Sequence, residues 1–233
     1  SAKNVRLVYN QLKERITDRL LEAGVFVFDP ANTVVDDTVR IAAGAEILPF
    51  CKIEGDTVIE AGASVEGSHI SDCRIEGGAK VVMSHLADTR VGAGSTVGPF
   101  ARLRGAVVGK GCRVGDFVEI KNSVFGDGAK SAHLAYIGDA DVGGGTNVGC
   151  GTVFCNYDGK RKHRTSVGRD CFIGANVNLV APVSLGDGAF VAAGTTVTQD
   201  VEKDGFAIGR SRQVNKTRRA EGAEKDFGGG DKA

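Results

Sequence analysis

The sequence predicts an all-β solenoid: short strands stacked into parallel sheets around one continuous apolar interior. Three observations lead there. Aliphatic residues recur every six positions, seen most plainly at Val167, Ile173, Leu179, Leu185, Val191 and Val197. The fifth residue of each of these six-residue units is also apolar or small: Cys171, Val177, Val183, Ala189, Thr195 and Val201. The chain holds 34 glycines but four prolines and no tryptophan, at 42% hydrophobic content, so it is glycine-rich without the polarity of a disordered segment. A helix of 3.6 residues per turn would smear a six-residue period around its whole surface. A short strand followed by a tight bend buries it, provided that many units stack, because one unit cannot cover its own apolar face. An ordinary antiparallel β protein would need hairpin dipeptides and longer alternating strands, which are missing.

The elements follow in order. Residues 1–24 form an N-terminal linker helix: Val5, Val8, Leu12, Ile16 and Leu20 share one side at helical spacing and Gly24 is the stop. This helix is expected to pack across the open end of the first coil. Residues 25–201 are the solenoid, with upstream units such as IEAGAS (59–64), IEGGAK (75–80) and FGDGAK (125–130). Residues 202–233 are a C-terminal segment whose end, RRAEGAEKDFGGGDKA (218–233), reads as a mobile tail.

The repeat is broken in informative places. Its phase slips by one residue between Ile120 and Phe125, and again between Ile137 and Val142. His133 lies between the slips, in the outward-facing third place of its unit, so it is either a solvated surface side chain or a functional one. Between Phe154 and Val167 thirteen residues replace six, and they carry Lys160, Arg161, Lys162, His163 and Arg164. That loop is either solvated or stands over a neighbouring surface.

Composition excludes several classes. Lys+Arg and Asp+Glu both number 29, which gives no global field for nucleic acid or anionic lipid. No apolar run is long enough to span a bilayer and no signal-peptide pattern opens the chain, so the expected setting is the cytoplasm. Six scattered cysteines without a CxxC pair read as reduced, small core residues.

The words of the sequence resemble one family. GPFARLR (98–104), GDFVEIKNS (115–123), KSAHLAYIGDADVG (130–143), NVGCGTVFCNYDGKRKHRT (147–165), LVAPVSLGDGAFVAAGTTVTQDV (179–201) and GRSRQVNK (209–216) occur in this order. They are similar to the hexapeptide-repeat acyltransferases, and among these to the acetyltransferase domain of the bacterial bifunctional enzymes on the route to UDP-N-acetylglucosamine, a cell-wall (peptidoglycan) precursor. FDPANTVVDDTVRI (28–41) and the N-terminal helix resemble the same family. The resemblance implies a left-handed parallel β-helix, whereas the general crossover rule favours the right hand. The family's uridylyltransferase domain has no counterpart here, so the chain is expected to be either a separated C-terminal half or a stand-alone acetyltransferase.

The family reaction moves an acetyl group from acetyl-CoA, a co-substrate, to the 2-amino group of glucosamine-1-phosphate. The amine must lose a proton as it attacks, and an imidazole with an unperturbed pKa of about 6.5 suits a general base. The resemblance assigns that role to His133. It assigns sugar-phosphate contacts to Arg104, Lys121, Tyr136, Asn147 and Lys162, cations and polar groups apt for phosphate oxygens, and polar support near the amine to Glu119. For acetyl-CoA it points to the amide near Cys150, as a donor to the developing oxyanion, and to Asn156, Tyr157, Ala175, Ala193 and Arg210. Two positions depart from the pattern: Ala175 replaces a frequent hydroxyl, and Gly105 replaces a proline after Arg104. The family implies a homotrimer with sites shared between subunits, and acetyl transfer with no metal. Three readings compete: a hexapeptide acyltransferase for a different amino sugar, a γ-type carbonic anhydrase using three histidines, and a non-catalytic solenoid that serves as an assembly surface.

Overall fold

The structure is a computed structural model and describes residues 1–216; the tail expected at 218–233 lies outside the described residues. Helix α1 spans Ala2–Glu22. It ends as a glycine-dependent stop: Gly24 has φ of +83°, its N–H donates to the Leu21 carbonyl and that of Val25 to Leu20. These two bonds, with buried Leu20 against buried Val25, make a Schellman closure. The helix docks by its C-terminal half only. Ile16 and Leu20 are buried, whereas Val5, Val8 and Leu12 are exposed, so three of the five apolar residues on the expected packing face do not pack on the coils. Among the described residues no helix is long and apolar enough to cross a membrane.

From Phe26 onward the chain winds through three faces. Pairings between successive coils are parallel throughout, and the first face carries eleven rungs, from Phe26 through Lys80, Lys130, Asn147 and Phe172 to Phe206. On the second face the rungs are Val34, Lys52, His69, His85, Arg102, Glu119, Tyr136, Val153, Asn178 and Thr196. Coils on the second face therefore advance 16–18 residues per turn, except for 25 between Val153 and Asn178, and the first coil, from Phe26 to Glu46 on the first face, takes 20. The third face is a separate nine-stranded sheet from Arg40–Ile41 to Ser184–Leu185. The interior is the column of aliphatic positions read from the hexads: Ile173, Leu179 and Val191 are fully buried, as are Ile120, Phe125 and Ile137 across a phase slip. Four cysteines (51, 73, 112 and 171) fill this core, but Cys150 is exposed and Cys155 half-buried, so the core reading does not extend to those two.

The phase slip proves to be general. Ile70 to Ile75, Leu86 to Val91 and Leu103 to Val108 are also five-residue steps between buried positions, like the two seen in the sequence. All five fall at the corner between the second and third faces. In each a single left-handed residue turns the chain: Asp72, Asp88, Gly105, Asn122 and Asp139. Asp and Asn tolerate that conformation through their short polar side chains. The thirteen-residue insertion departs from the same corner, one coil further on.

The corner between the first and second faces is built differently. Phe50, Met83, Phe100, Phe117 and Leu134 all adopt positive φ, between 39° and 63°, and all five are exposed. Bulky side chains rarely accept this region. Here they form an apolar row along one edge, and the rings of Phe100 and Phe117 stack at 5.6 Å.

Candidate active site

His133 sits on that corner, immediately before Leu134, within the long strand Lys130–Gly138 that runs continuously from the first face to the second. Its Nδ1 lies 2.7 Å from Oδ1 of Asp116, its register partner on the strand Arg113–Lys121. The parallel register continues below it. Lys130 pairs with Asn147, Asn147 with Phe172 and Phe172 with Phe190, which sets Cys150, Ala175 and Ala193 in one column beneath His133. Corner hydrogen bonds agree: Gly151 N–H donates to Leu134, Asn176 to Cys150 and Gly194 to Ala175. Arg210 reaches up from the last coil, its Nη1 donating to the Ala193 carbonyl at 2.5 Å. Cys150, Ala175 and Ala193 are all exposed, so small side chains leave an open track from the imidazole to the guanidinium. Gly149 and Gly151 N–H are spent on the carbonyls of Ile173 and Leu134, whereas the N–H of Cys150 has no acceptor among the described residues.

A second group lies on the second face. Arg104 and Lys121 are register partners on adjacent rungs, as are Glu119 and Tyr136. Glu119 pairs with the Arg104 guanidinium, which places it on the cation. The Nε of Arg104 is buried with no acceptor among the described residues. The inserted loop brings Lys162 to the same patch. Lys121 beside it, through a contact between the two ammonium groups and their like charge, pushes the Lys162 ammonium below its ordinary value, with Asp139 pulling the other way. Two ammonium groups facing one another, beside an arginine with an unused donor, form a site that an anion would stabilise.

Comparisons with known proteins bear on the family and the fold. Residues 164–199 match the family model described as the hexapeptide repeat of succinyl-transferase. Proteins named bifunctional protein GlmU match most of the chain: that of Trichlorobacter lovleyi is 44% identical over 209 residues, 88% of this chain and 45% of that protein. That of Clostridium novyi is 47% identical over 206 residues, 88% of this chain and 45% of that protein. The chain is a hexapeptide-repeat protein related to the C-terminal half of GlmU. It thus spans about half the length of the GlmU proteins it matches. Among solved structures, the UDP-N-acetylglucosamine acyltransferase of Francisella novicida superimposes with a TM-score of 0.53 at 18% identity, over 76% of this chain and 64% of that one, a likeness of fold.

A single copy of this GlmU-like chain brings some of the expected residues together and leaves others apart. Arg104, Glu119, Lys121 and Tyr136 share the second face, and the inserted loop brings Lys162 to them. His133, Cys150, Ala175, Ala193 and Arg210 share the corner. Asn147 starts its strand on the first face, on the other side of the corner from the cations. Faces of a convex prism diverge, so one chain cannot fold the two sides of His133 into a crevice. A cavity of about 750 Å³ lies elsewhere, against helix α1 and lined by Arg19, Leu20, Val39 and Ile59. Asn156 and Tyr157 are placed on the loop. Asn156 is 7% exposed and its amide donates to Asp139 (2.5 Å) and to the Tyr136 hydroxyl (3.4 Å), so it ties the loop down. Tyr157 is exposed and donates to the Gly159 carbonyl at 2.7 Å.

Sequence reasoning missed four groups. Asp116 partners His133. Asp139 holds Asn156. Asp158 accepts from the amides of Lys160 and Arg161 and contacts Nε2 of His163. Arg164 grips Asp141 with Nε and Nη2, at 2.6 and 2.5 Å, and also donates to the carbonyls of Asn122 and Ala140. Arg164, one of four Lys and Arg residues in the loop's basic run, is thus an anchor. A signal existed for Asp116: it stands seventeen residues before His133, one coil length. Of the four histidines only His69 and His85 adjoin, stacked at 4.7 Å. Among the described residues no group of three or more His, Cys, Asp and Glu is placed to hold a metal ion.

Proposed function

We propose that this chain is an N-acetyltransferase that moves acetyl from acetyl-CoA to the 2-amino group of glucosamine-1-phosphate, yielding N-acetylglucosamine-1-phosphate for UDP-N-acetylglucosamine synthesis. The observation that carries it is the corner column: an imidazole at its head, small residues below it and an arginine at its foot, flanked by a cationic patch. Three rung spacings separate His133 from Ala193, about 14 Å at ~4.8 Å each. A thin, extended acyl carrier fits along such a track, with Arg210 meeting its phosphates. The patch of Arg104, Lys121 and Lys162 suits the sugar phosphate, and Tyr136 and Asn147 the sugar hydroxyls.

The chemistry then follows from the residues. His133 accepts the proton from the attacking amine through Nε2 as the N–C bond forms. The free N–H of Cys150 donates to the oxygen on which charge develops. When the C–S bond breaks, the imidazolium returns its proton to the departing thiolate. Because the two sides of His133 diverge on one prism, the working site is shared: in a parallel homotrimer a neighbour's face closes the crevice. The exposed row of Phe100, Phe117 and Leu134 beside His133 supplies an apolar seam for that contact.

Thiol release from acetyl-CoA, followed with a chromogenic disulfide, tests the reading. Glucosamine-1-phosphate should drive release, glucosamine and glucosamine-6-phosphate should not, and His133→Ala should lower kcat by about 10²–10⁴-fold with the fold intact. No release with any amino sugar phosphate, or full activity in His133→Ala, would overturn it.

A further inference from the structure

We propose that Asp116 is a positioning residue for His133: its carboxylate fixes the imidazole as the Nδ1–H tautomer, so that Nε2 carries the lone pair and faces the substrate amine. This rests on the acetyltransferase reading above and adds a residue to it. Three observations support it. The Oδ1–Nδ1 distance of 2.7 Å is that of a charge-assisted hydrogen bond. A carboxylate only accepts, so the ring nitrogen facing it is the donor. Asp116 is held below its ordinary value, first by its own backbone N–H and then by His133, and is therefore an anion at neutral pH.

The pairing is imposed by the backbone. Asp116 and His133 are register partners on adjacent coils, inside the two strands (Arg113–Lys121 and Lys130–Gly138) that run unbroken around this corner. The residue before Asp116 is Gly115, where an added Cβ would stand 1.8 Å from the Ala132 carbonyl oxygen, so the coils approach more closely here than any side chain permits. The residues after the pair, Phe117 and Leu134, have φ of 57° and 39°, which turns the chain and sets both side chains on the corner. In the reaction the anion also stabilises the imidazolium that forms when His133 takes the proton. The proton stays on His133 until the thiolate leaves; Asp116 is not itself protonated.

The test uses the full chain with three variants, Asp116→Ala, Asp116→Asn and His133→Gln. Side chains of Asp116 and His133 are 38% and 55% exposed, so melting curves should coincide with wild type. Asp116→Ala should lower kcat by roughly 10²-fold, less than the ~10⁴ lost when a buried triad aspartate is replaced, with the KM for acetyl-CoA unchanged. Asp116→Asn should lose at least as much as Asp116→Ala, because its amide N–H can donate to Nδ1 and hold the ring in the Nε2–H form. Independently of activity, ¹⁵N spectra of histidine-labelled protein report the tautomer, and His133→Gln identifies the signal among the four histidines. Wild type should show Nδ1–H, and Asp116→Ala a shift toward the Nε2–H form. The proposal is overturned if Asp116→Ala keeps wild-type kcat while His133→Gln is inactive, or if the Nδ1–H signal survives without the carboxylate. Should wild type itself release no thiol, the acetyltransferase reading fails, and the spectra still decide whether Asp116 sets the tautomer.

Discussion

Arg164→Ala tests how the inserted loop is held. The guanidinium makes two bonds to the Asp141 carboxylate and one each to the carbonyls of Asn122 and Ala140, so it pins the loop's return to two earlier coils. Arg164 and Asp141 side chains are 46% and 50% exposed, and solvent screens the ion pair to about 0.2–1 kcal/mol. The two carbonyl bonds add about 0.5–1.5 kcal/mol each at most, and partial exposure draws the sum toward about 1–2 kcal/mol. At about 1.4 kcal/mol per tenfold, the loop's ordered form loses roughly 5- to 30-fold of its population advantage. Lys162 is two residues from the anchor, so the loss should fall on binding: the KM for the sugar phosphate rises several-fold and that for acetyl-CoA does not. Trypsin should then cut after Lys160, Arg161 or Lys162 faster than in wild type. Arg164→Lys should recover little, since an ammonium cannot make the forked contact. Wild-type kinetics in Arg164→Ala would refute the anchor. A large drop in melting temperature would show that Arg164 holds the prism as a whole.

Other outcomes follow from the same geometry. Thiol reagents should modify Cys150 in the native protein well before Cys51, Cys73, Cys112 and Cys171, which are buried and whose thiols burial pushes up, that of Cys73 to about 11; acetyl-CoA should protect Cys150, and equal labelling with and without it would remove the acyl track from the corner. Phe117→Glu places a charge in the exposed apolar row, so sedimentation should show a shift toward monomer with loss of thiol release; an active monomer would sink the shared site. Asp158 is lowered from 3.8 to about 2, first by the Arg161 amide, then by His163 and the Lys160 amide. A depressed carboxylate stabilises the folded loop fully above its unfolded value, and the contribution is lost as pH falls from about 3.8 towards about 2. Protection of the loop amides relative to an unstructured peptide should therefore hold down to about pH 4 and fall below it, and Asp158→Asn should lower that protection at neutral pH.

The hexad fixed the architecture because a strict period states burial directly: Ile173, Leu179 and Val191 are inside for the reason that makes them recur. Position within the hexad also put His133 outside. Two things were less legible. The five-residue corner steps at Ile70, Leu86 and Leu103 were hidden because one missing residue at a bend leaves each flanking strand's pattern intact. The use of the loop's charges was hidden too: Lys162 and Arg164 are chemically alike in sequence, and only the spatial nearness of Asp141, a full coil earlier, separates an anchor from a free cation. Asp116 escaped notice for a related reason, since its significance depends on coil length and not on local sequence.

Backbone pairing in a stack of coils reaches only the next coil on either side, and this leaves the N-terminal coils apart from the expected site. Nothing between Phe26 and Val97 belongs to the expected site, although those layers make up five of the eleven rungs on the first face. They can drift in sequence, or in number, at small cost to whatever happens at His133, so long as the topmost layer presents the right rungs to Arg102 and Arg113. Variation among relatives should accordingly pool in those first coils, and an engineer seeking a handle for tethering would begin there.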